Sequence, residues 1–310
     1  LRLAAPVSDI VRRKSTVDPQ PTLSDLVTAG PPRGWIAGPK YSVRALWNNR
    51  ELLSLLVRRE IKARYKDSSL GFVWSLLRPL TQLLIYYVAI GKFLGAERNV
   101  PDFAIFIFTG LTAWGLFSEV LAGTTASIVA NAALIKKVYL PREIFPLASV
   151  GSALFNFVMQ FAILLIATIA LGKPPLHIQL LYLPLSLAVI LLFSFSVGLL
   201  LSAVNVYLRD FQHLIDVVLL VLFWASPITY SFTLVHRVLK GNILEQLYLW
   251  NPMTLVVMGF QKAMWVSGAG QYWPDHLVLR LCVVGLLSIV LLWVAQRVFA
   301  RLEGNFAQEL

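Results

Sequence analysis

Between residues 70 and 300 the chain is a succession of apolar runs divided by short polar turns, and several runs are long enough to cross the roughly 30 Å hydrocarbon layer of a bilayer as helices. A backbone in lipid must satisfy its own hydrogen bonds, so each such run is read as a helix. The expected spans are residues 80–94, prolonged at the start by apolar residues from Leu70, then 103–130, 147–171, 180–206, 214–230 and 276–300. The fifth should break near Pro227, which removes one backbone bond. Residues 231–275 are less regular, and their apolar piece, 253–266, is too short to cross comfortably. A half-crossing or interface-lying hairpin on the outer face fits that length. The expected fold is therefore all-α and polytopic: six transmembrane helices, an amphipathic interface helix before them and an outer re-entrant hairpin between spans five and six.

The composition agrees, since 57% hydrophobic residues against 14% charged excludes an ordinary soluble domain. A net charge of +11 raises the question of nucleic acid, but the basic residues crowd the first 78 positions and the short loops, as orientation signals and anionic-lipid contacts do. Nucleic acid is not an expected partner; membrane lipids are. The stretches 58–78 and 136–142, with Arg209, Arg297 and Arg301, all fall on one side of a six-span path, which places both termini in the cytoplasm.

Residues 1–45 form a proline-rich arm, too polar for a core and too rich in proline for a long helix, with no cleavable signal pattern. The lone Cys282 allows neither an intrachain disulfide nor a cysteine metal site. The four histidines, His177, His213, His236 and His276, are scattered over loops and span ends and read as interfacial residues, so no metal is expected. The phosphate-cradling Gly-x-x-x-x-Gly-Lys-[Ser/Thr] pattern is absent, so no enzymatic role and no cofactor are expected, and any ATP that drives this chain is bound by another.

The domain plan is the arm, an amphipathic helix over 46–69, and a membrane domain over 70–310. At helical spacing Leu46, Leu53, Val57, Ile61 and Tyr65 share one stripe while Arg58, Lys62 and Lys66 stand on another, as in a helix lying along the inner membrane surface. Asp67-Ser68-Ser69 ends it and opens the next helix, and Arg78 next to Pro79 can snorkel to headgroups. By physics alone this is also what a positive-inside anchor of any multispanning protein looks like.

The run Arg58-Arg59-Glu60-Ile61-Lys62-Ala63-Arg64-Tyr65-Lys66-Asp67-Ser68-Ser69-Leu70-Gly71-Phe72-Val73-Trp74, followed by Arg78-Pro79, resembles the opening segment of ABC-2 type polysaccharide-export permeases, the family that exports O-antigens and teichoic acids. Tyr139-Leu140-Pro141-Arg142 with Pro146, Arg209-Asp210-Phe211, and Ser226-Pro227-Ile228-Thr229-Tyr230 are further markers. The arm ending in Pro31-Pro32-Arg33-Gly34-Trp35 looks like that of actinobacterial exporters of cell-wall galactan. The resemblance implies a bacterial cytoplasmic-membrane permease subunit that pairs with a second copy of itself and with P-loop ATPase subunits and exports a lipid-linked polysaccharide. It also implies that Arg58, Arg59, Lys62, Lys136, Lys137, Tyr139 and Arg142 face the ATPase. Physically, Asn131 is placed to cap a short helix through Val138 that Pro141 ends.

Two aromatic pairs one heptad apart, Tyr86 with Phe93 on span one and Phe223 with Tyr230 on span five, each make a stripe. Such stripes serve packing or an interface belt; alternatively, their faces stack on the C–H faces of sugar rings, and the resemblance implies that spans one and five line a channel. Glu119, with Ser118, Thr124 and Thr125 nearby, is expected to face a polar cavity or a partner helix, because charge at depth is costly. A stand-alone channel or carrier and a membrane-embedded lipid-sugar enzyme are the rivals; the enzyme would need clustered acids or a metal site, which the sparse carboxylates do not offer. A reporter fused after Leu310 should read cytoplasmic and one at Lys173 or Lys240 outside, and a cytoplasmic signal at Lys240 would break the six-span path.

Overall fold

The computed structural model describes residues 37–65, 73–138 and 140–310. Most of the proline-rich arm, Lys66, the cap Asp67-Ser68-Ser69, the 70–72 start of span one and Tyr139 lie outside the described residues. All elements among the described residues are helical. Helices α1 (Ala37–Asn48), α2 (Arg50–Tyr65) and α3 (Val73–Tyr86) lead into a π-helical stretch, Tyr87–Phe93. Then come α4 (Phe103–Ala130), the single turn α5 (Ala132–Ile135), α6 (Ile144–Ala170), α7 (Tyr182–Tyr207) and α8 (Phe211–Trp224). The short helices α9 (Phe232–Leu239), α10 (Ile243–Leu249) and α11 (Pro252–Met264) precede the last long helix, α12 (Leu277–Leu302), and the terminal turn α13 (Phe306–Glu309).

Among the described residues, four helices are long and apolar enough to cross a membrane by themselves: those over Phe103–Ala130, Ile144–Ala170, Ile178–Tyr207 and Leu277–Glu309. Helix α4, with 28 residues, is about 42 Å long and is buried on most of its surface by α6, α7 and α11. Two of its buried hydroxyls return to their own backbone, Thr109 to Ile105 O (2.7 Å) and Thr112 to Phe108 O (2.7 Å), so these two enter the core without an unmet donor. Small residues let the backbones approach: a Cβ on Gly198 of α7 would stand 2.8 Å from Thr124 Cβ of α4. Helix α12 lies along α7, where Ser196 Oγ also donates to Ser288 O at 3.1 Å.

Helices α3 and α8 are held differently. Each touches the bundle along a narrow strip and leaves an apolar face exposed, with Leu77, Leu84 and Ile85 on α3 and Leu214, Val217 and Leu220 on α8. With 14 residues, α8 reaches only about 21 Å and stops inside the depth that a bilayer would occupy. The chain then turns at Pro227 and packs so closely on α4 that a Cβ on Gly110 would lie 3.2 Å from Ile228 Cα. Helix α11 fills the space above, nearly all of it buried against α4, α7 and α12.

The turns sort into two ends of the bundle. Before α4, the Asp102 carboxylate accepts from Lys173 of the α6–α7 turn and from Ser267, Trp265 Nε1 donates to Pro101 O (2.7 Å), and Gln271 Nε2 donates to Asn99 O (3.0 Å). Burial works against the Asp102 charge, but the Lys173 ammonium and the Ser267 hydroxyl outweigh it and hold this carboxyl below the usual range. Beyond the other end of α4, Arg59 donates to Asn131, Ser42 and Gln296 meet Glu143, and Tyr207 donates to Leu302 O (3.2 Å).

The amphipathic helix expected over 46–69 is two helices. It breaks at Asn49, whose side-chain amide bonds back to Ala45 O (2.7 Å). Helix α2 does not lie free on a surface: Leu56 is buried, and Val57 seats over Gly151 of α6, where a Cβ would come within 2.6 Å of Val57 Cγ2. Gly151→Ala should therefore displace α2 and cost about 1–3 kcal/mol, and Val57→Ala in the same chain should restore most of it. Thermal unfolding of the detergent-purified variants measures both; equal loss with and without Val57→Ala would refute this contact.

Candidate functional site

Of the residues expected to meet an ATPase, Arg58, Arg59 and Lys62 lie on α2, which packs on α6, and Lys136, Lys137 and Arg142 lie in the loop after α4, while Tyr139 is outside the described residues. Arg58, Arg59 and Lys62 are exposed along α2, and Arg59 donates to Asn131 Oδ1. Asn131 is not a helix cap as expected. Its side-chain amide bonds back to Ser127 O (2.8 Å) and its carbonyl takes Arg59, so the stub α5 is a single turn and the chain is irregular from Lys136 on. Lys136 and Lys137 are exposed. Arg142 is half-buried, its guanidinium 5.8 Å above the ring of Phe306, and so it faces the chain's own end.

The aromatic candidates part company. Tyr86 and Phe223 come together across α3 and α8, stacked at 5.8 Å with an interplanar angle of 29°, and Trp114 of α4 meets Phe223 edge-on at 5.4 Å. Phe223 is only 8% exposed, so packing consumes most of its surface, whereas Tyr86 keeps a partly open face. Phe93 is 83% exposed and does not share a stripe with Tyr86. The π-helical stretch between them takes about one residue more per turn than an α-helix, so seven residues no longer complete two turns. Tyr230 does not continue the face of Phe223 either. Helix α8 ends at Trp224, and the chain doubles back so that the Tyr230 hydroxyl donates to Trp224 O (2.6 Å). Trp114, which completes the cluster, was not singled out from the sequence, because an aromatic residue inside an apolar span carries no positional signal of its own.

Glu119 has partners that spacing could not reveal. Its carboxylate accepts from Arg64 at the end of α2 and from Asn156 Nδ2 of α6 at 2.6 Å. Three elements are thus tied by one charge in a half-exposed position, where a carboxylate needs a cation and a donor to remain. Its expected polar neighbours do not contribute: Thr125 and Ser118 bond to their own helix, at Leu121 O (2.8 Å) and Gly115 O (3.2 Å). A lone Asn in an apolar span was the available hint of Asn156.

Against known sequences, the profile of the family described as "ABC-2 type transporter" matches residues 51–265. This chain belongs to the ABC-2 type transporter family. Among its relatives, an O-antigen export system permease protein of Myxococcus xanthus is 31% identical over 269 residues, covering 86% of this chain and 98% of the relative. A protein of the same description from Klebsiella pneumoniae is 25% identical over 271 residues, 87% of this chain and 98% of the relative. The polysialic acid transport protein KpsM of Escherichia coli is 26% identical over 208 residues, 65% of this chain and 76% of the relative. The family match includes α2 from Glu51 onward, the Glu119 tie and all of α11, while α1 and α12 lie outside it.

In this ABC-2 protein Arg64→Glu should lower the yield of folded chain, and Arg64→Glu combined with Glu119→Arg should recover part of it. The coupling expected from the double-substitution cycle is about 1 kcal/mol, kept low because Arg64 is open to solvent. Additive losses in size-exclusion yield and melting temperature would show that the pair carries no energy.

Proposed function

We propose that this chain is the permease subunit of an ATP-driven exporter that carries a polysaccharide across the bacterial cytoplasmic membrane. The observation that carries the reading is the similarity to the Myxococcus permease over 98% of that relative's length, since likeness over a whole subunit favours a shared transport role over a shared fragment. The absence of a phosphate-cradling loop in the sequence supports a separate P-loop ATPase as the source of energy. Exposed Arg58, Lys62, Lys136 and Lys137 offer it a basic docking face.

In this reading α3 with its π stretch is span one, and α8 with the Pro227 turn is span five, which makes six spans with the four longer helices. Basic-residue bias puts both chain ends in the cytoplasm, and α9 to α11 form the re-entrant segment on the outer side. The exposed apolar faces of α3 and α8 support pairing with a second copy, because a face that packs nothing within the chain is free to meet another. The open face of Tyr86, beside Trp114 and Phe223, suits weak, repeated stacking on sugar rings as a polymer advances. A lipid-linked galactan precursor is the cargo favoured by the likeness of the arm around Pro31-Pro32-Arg33-Gly34-Trp35 to actinobacterial galactan exporters.

Reconstitution with its P-loop ATPase in lipid vesicles tests this reading. ATP should drive a lipid-linked glycan across the vesicle membrane, and the permease alone should be inert. Tyr86→Leu should reduce export per assembled complex several-fold while leaving the yield of complex unchanged. Export without the ATPase, or no ATP-dependent glycan movement by the intact complex, would refute it.

A further inference from the structure

The loop that leads from α4 to α6 presents two unlike halves. Lys136 and Lys137 stand exposed, while seven residues on from Lys136 Glu143 is buried and is held by donors from both ends of the chain. Ser42 Oγ of α1 donates to Glu143 Oε1 at 3.0 Å, and Gln296 Nε2 of α12 donates to the same oxygen at 3.1 Å. Gln296 Nε2 also donates to Ser42 Oγ at 3.0 Å, closing a three-sided ring among residues 254 positions apart at the extremes.

We propose that this loop is divided by function: Lys136 and Lys137 meet the partner ATPase, and Glu143, joined to Ser42 and Gln296, is the positioning residue that makes α1 and α12 move with the loop. The inference rests on the reading of the chain as an ATP-driven permease. A buried polar ring of this kind specifies one arrangement, since breaking any side leaves a buried donor or acceptor unmet. Burial raises the Glu143 pKa, and the Gln296 and Ser42 donors work in the opposite direction, which is the cost that these bonds offset. The neighbouring contacts reinforce the same corner. Arg142 lies over Phe306, and Phe306 is fully buried against Phe299 (5.4 Å) and Tyr207 (6.3 Å), so the end of the chain is clamped to the loop as well. Helix α1 leaves Val43 and Trp47 largely exposed and sets Leu46 against the core, and the Ser42 bond adds a polar hold to that packing. A push on the lysines therefore has a rigid path into span six and into the helix that precedes α2.

The test uses the full permease–ATPase complex in vesicles, with co-purification of the ATPase, ATP hydrolysis and glycan exported per ATP measured separately. Glu143→Ala should leave association and hydrolysis in place and lower glycan exported per ATP several-fold, and Glu143→Gln, which keeps an acceptor oxygen, should restore the ratio. Lys136→Glu with Lys137→Glu should instead abolish co-purification. Should Glu143→Ala fail to accumulate, Gln296→Leu, which keeps volume and removes the donor, carries the same expectation. An unchanged export ratio in these variants, or loss of association like that of the lysine pair, overturns the proposal. Hydrogen exchange of the purified chain reads the tie without transport: the amides of residues 42–48 should exchange faster in Glu143→Ala, and unchanged exchange also overturns it. If the unaltered permease binds no P-loop ATPase while exchange still responds, it is the transport reading that fails.

Discussion

Helix α8 is apolar and stops after 14 residues, and everything around its broken end answers the need of its backbone for hydrogen bonds. Each carbonyl from Val221 to Pro227 finds a donor. Val221 O takes Ala225 N (2.9 Å), Leu222 O takes Ser226 Oγ (2.8 Å), Phe223 O takes Ser226 N (3.3 Å) and Trp224 O takes Tyr230 Oη (2.6 Å). Ala225 O accepts from Asn251 Nδ2 (3.1 Å) and Thr254 Oγ1 (3.3 Å), Ser226 O from Ile228 N (2.8 Å), and Pro227 O from Gln261 Nε2 (2.8 Å). Three of these donors, Asn251, Thr254 and Gln261, belong to α11 or its N-cap. Helix α11 is therefore the element that allows α8 to end where it does. A buried unmet carbonyl costs about 1–3 kcal/mol, so without α11 the broken helix would be strongly disfavoured.

The same accounting separates the aromatic residues that serve the backbone from those that do not. Tyr230 is committed to Trp224 O and lies 3.4 Å from the Tyr248 hydroxyl, so its polar end serves the backbone. Tyr86 carries no such duty among the contacts seen and keeps an open face beside the cluster at Phe223. Helices α3 and α8 are weakly held, whereas α4 is surrounded by α6, α7 and α11. Movement in such a bundle belongs to the elements with the fewest buried partners. The π-helical stretch adds to this, because wider turns within a helix are frequent where function requires an irregular face.

At the opposite end, charge does the joining. Arg59 ties α2 to Asn131 at the end of α4 and Arg64 ties it to Glu119 within that helix, so the helix with the exposed Arg58 and Lys62 is linked to α4 through two guanidinium groups. Arg suits that task, since a planar, weakly hydrated cation gives up less hydration than Lys when it is drawn toward an apolar surface. The lysines on this face stay outside, where a strongly hydrated ammonium is at home.

The sequence by itself determined the class of this protein, because a helix in lipid is dictated by run length and apolarity: residues 103–130, 147–171, 180–206 and 276–300 each fall on a long helix within a few residues. It also determined the irregularity near Pro227, which follows from one missing amide. The family was legible too, in dense local strings such as the one from Arg58 to Trp74. What periodicity could not supply was any relation between distant positions. The partners of Glu119 and Glu143, and the guanidinium that meets Asn131, lie 37 to 153 residues away and were chosen by packing, not by spacing. The heptad stripes at Tyr86–Phe93 and Phe223–Tyr230 presumed unbroken α-helix, and the tertiary structure decided otherwise: a π stretch interrupts one and a chain reversal the other. Both departures carry backbone irregularity that a lone helix in lipid could not sustain. Gly91 against Phe103 beside the first, and α11 above the second, are what make them tolerable.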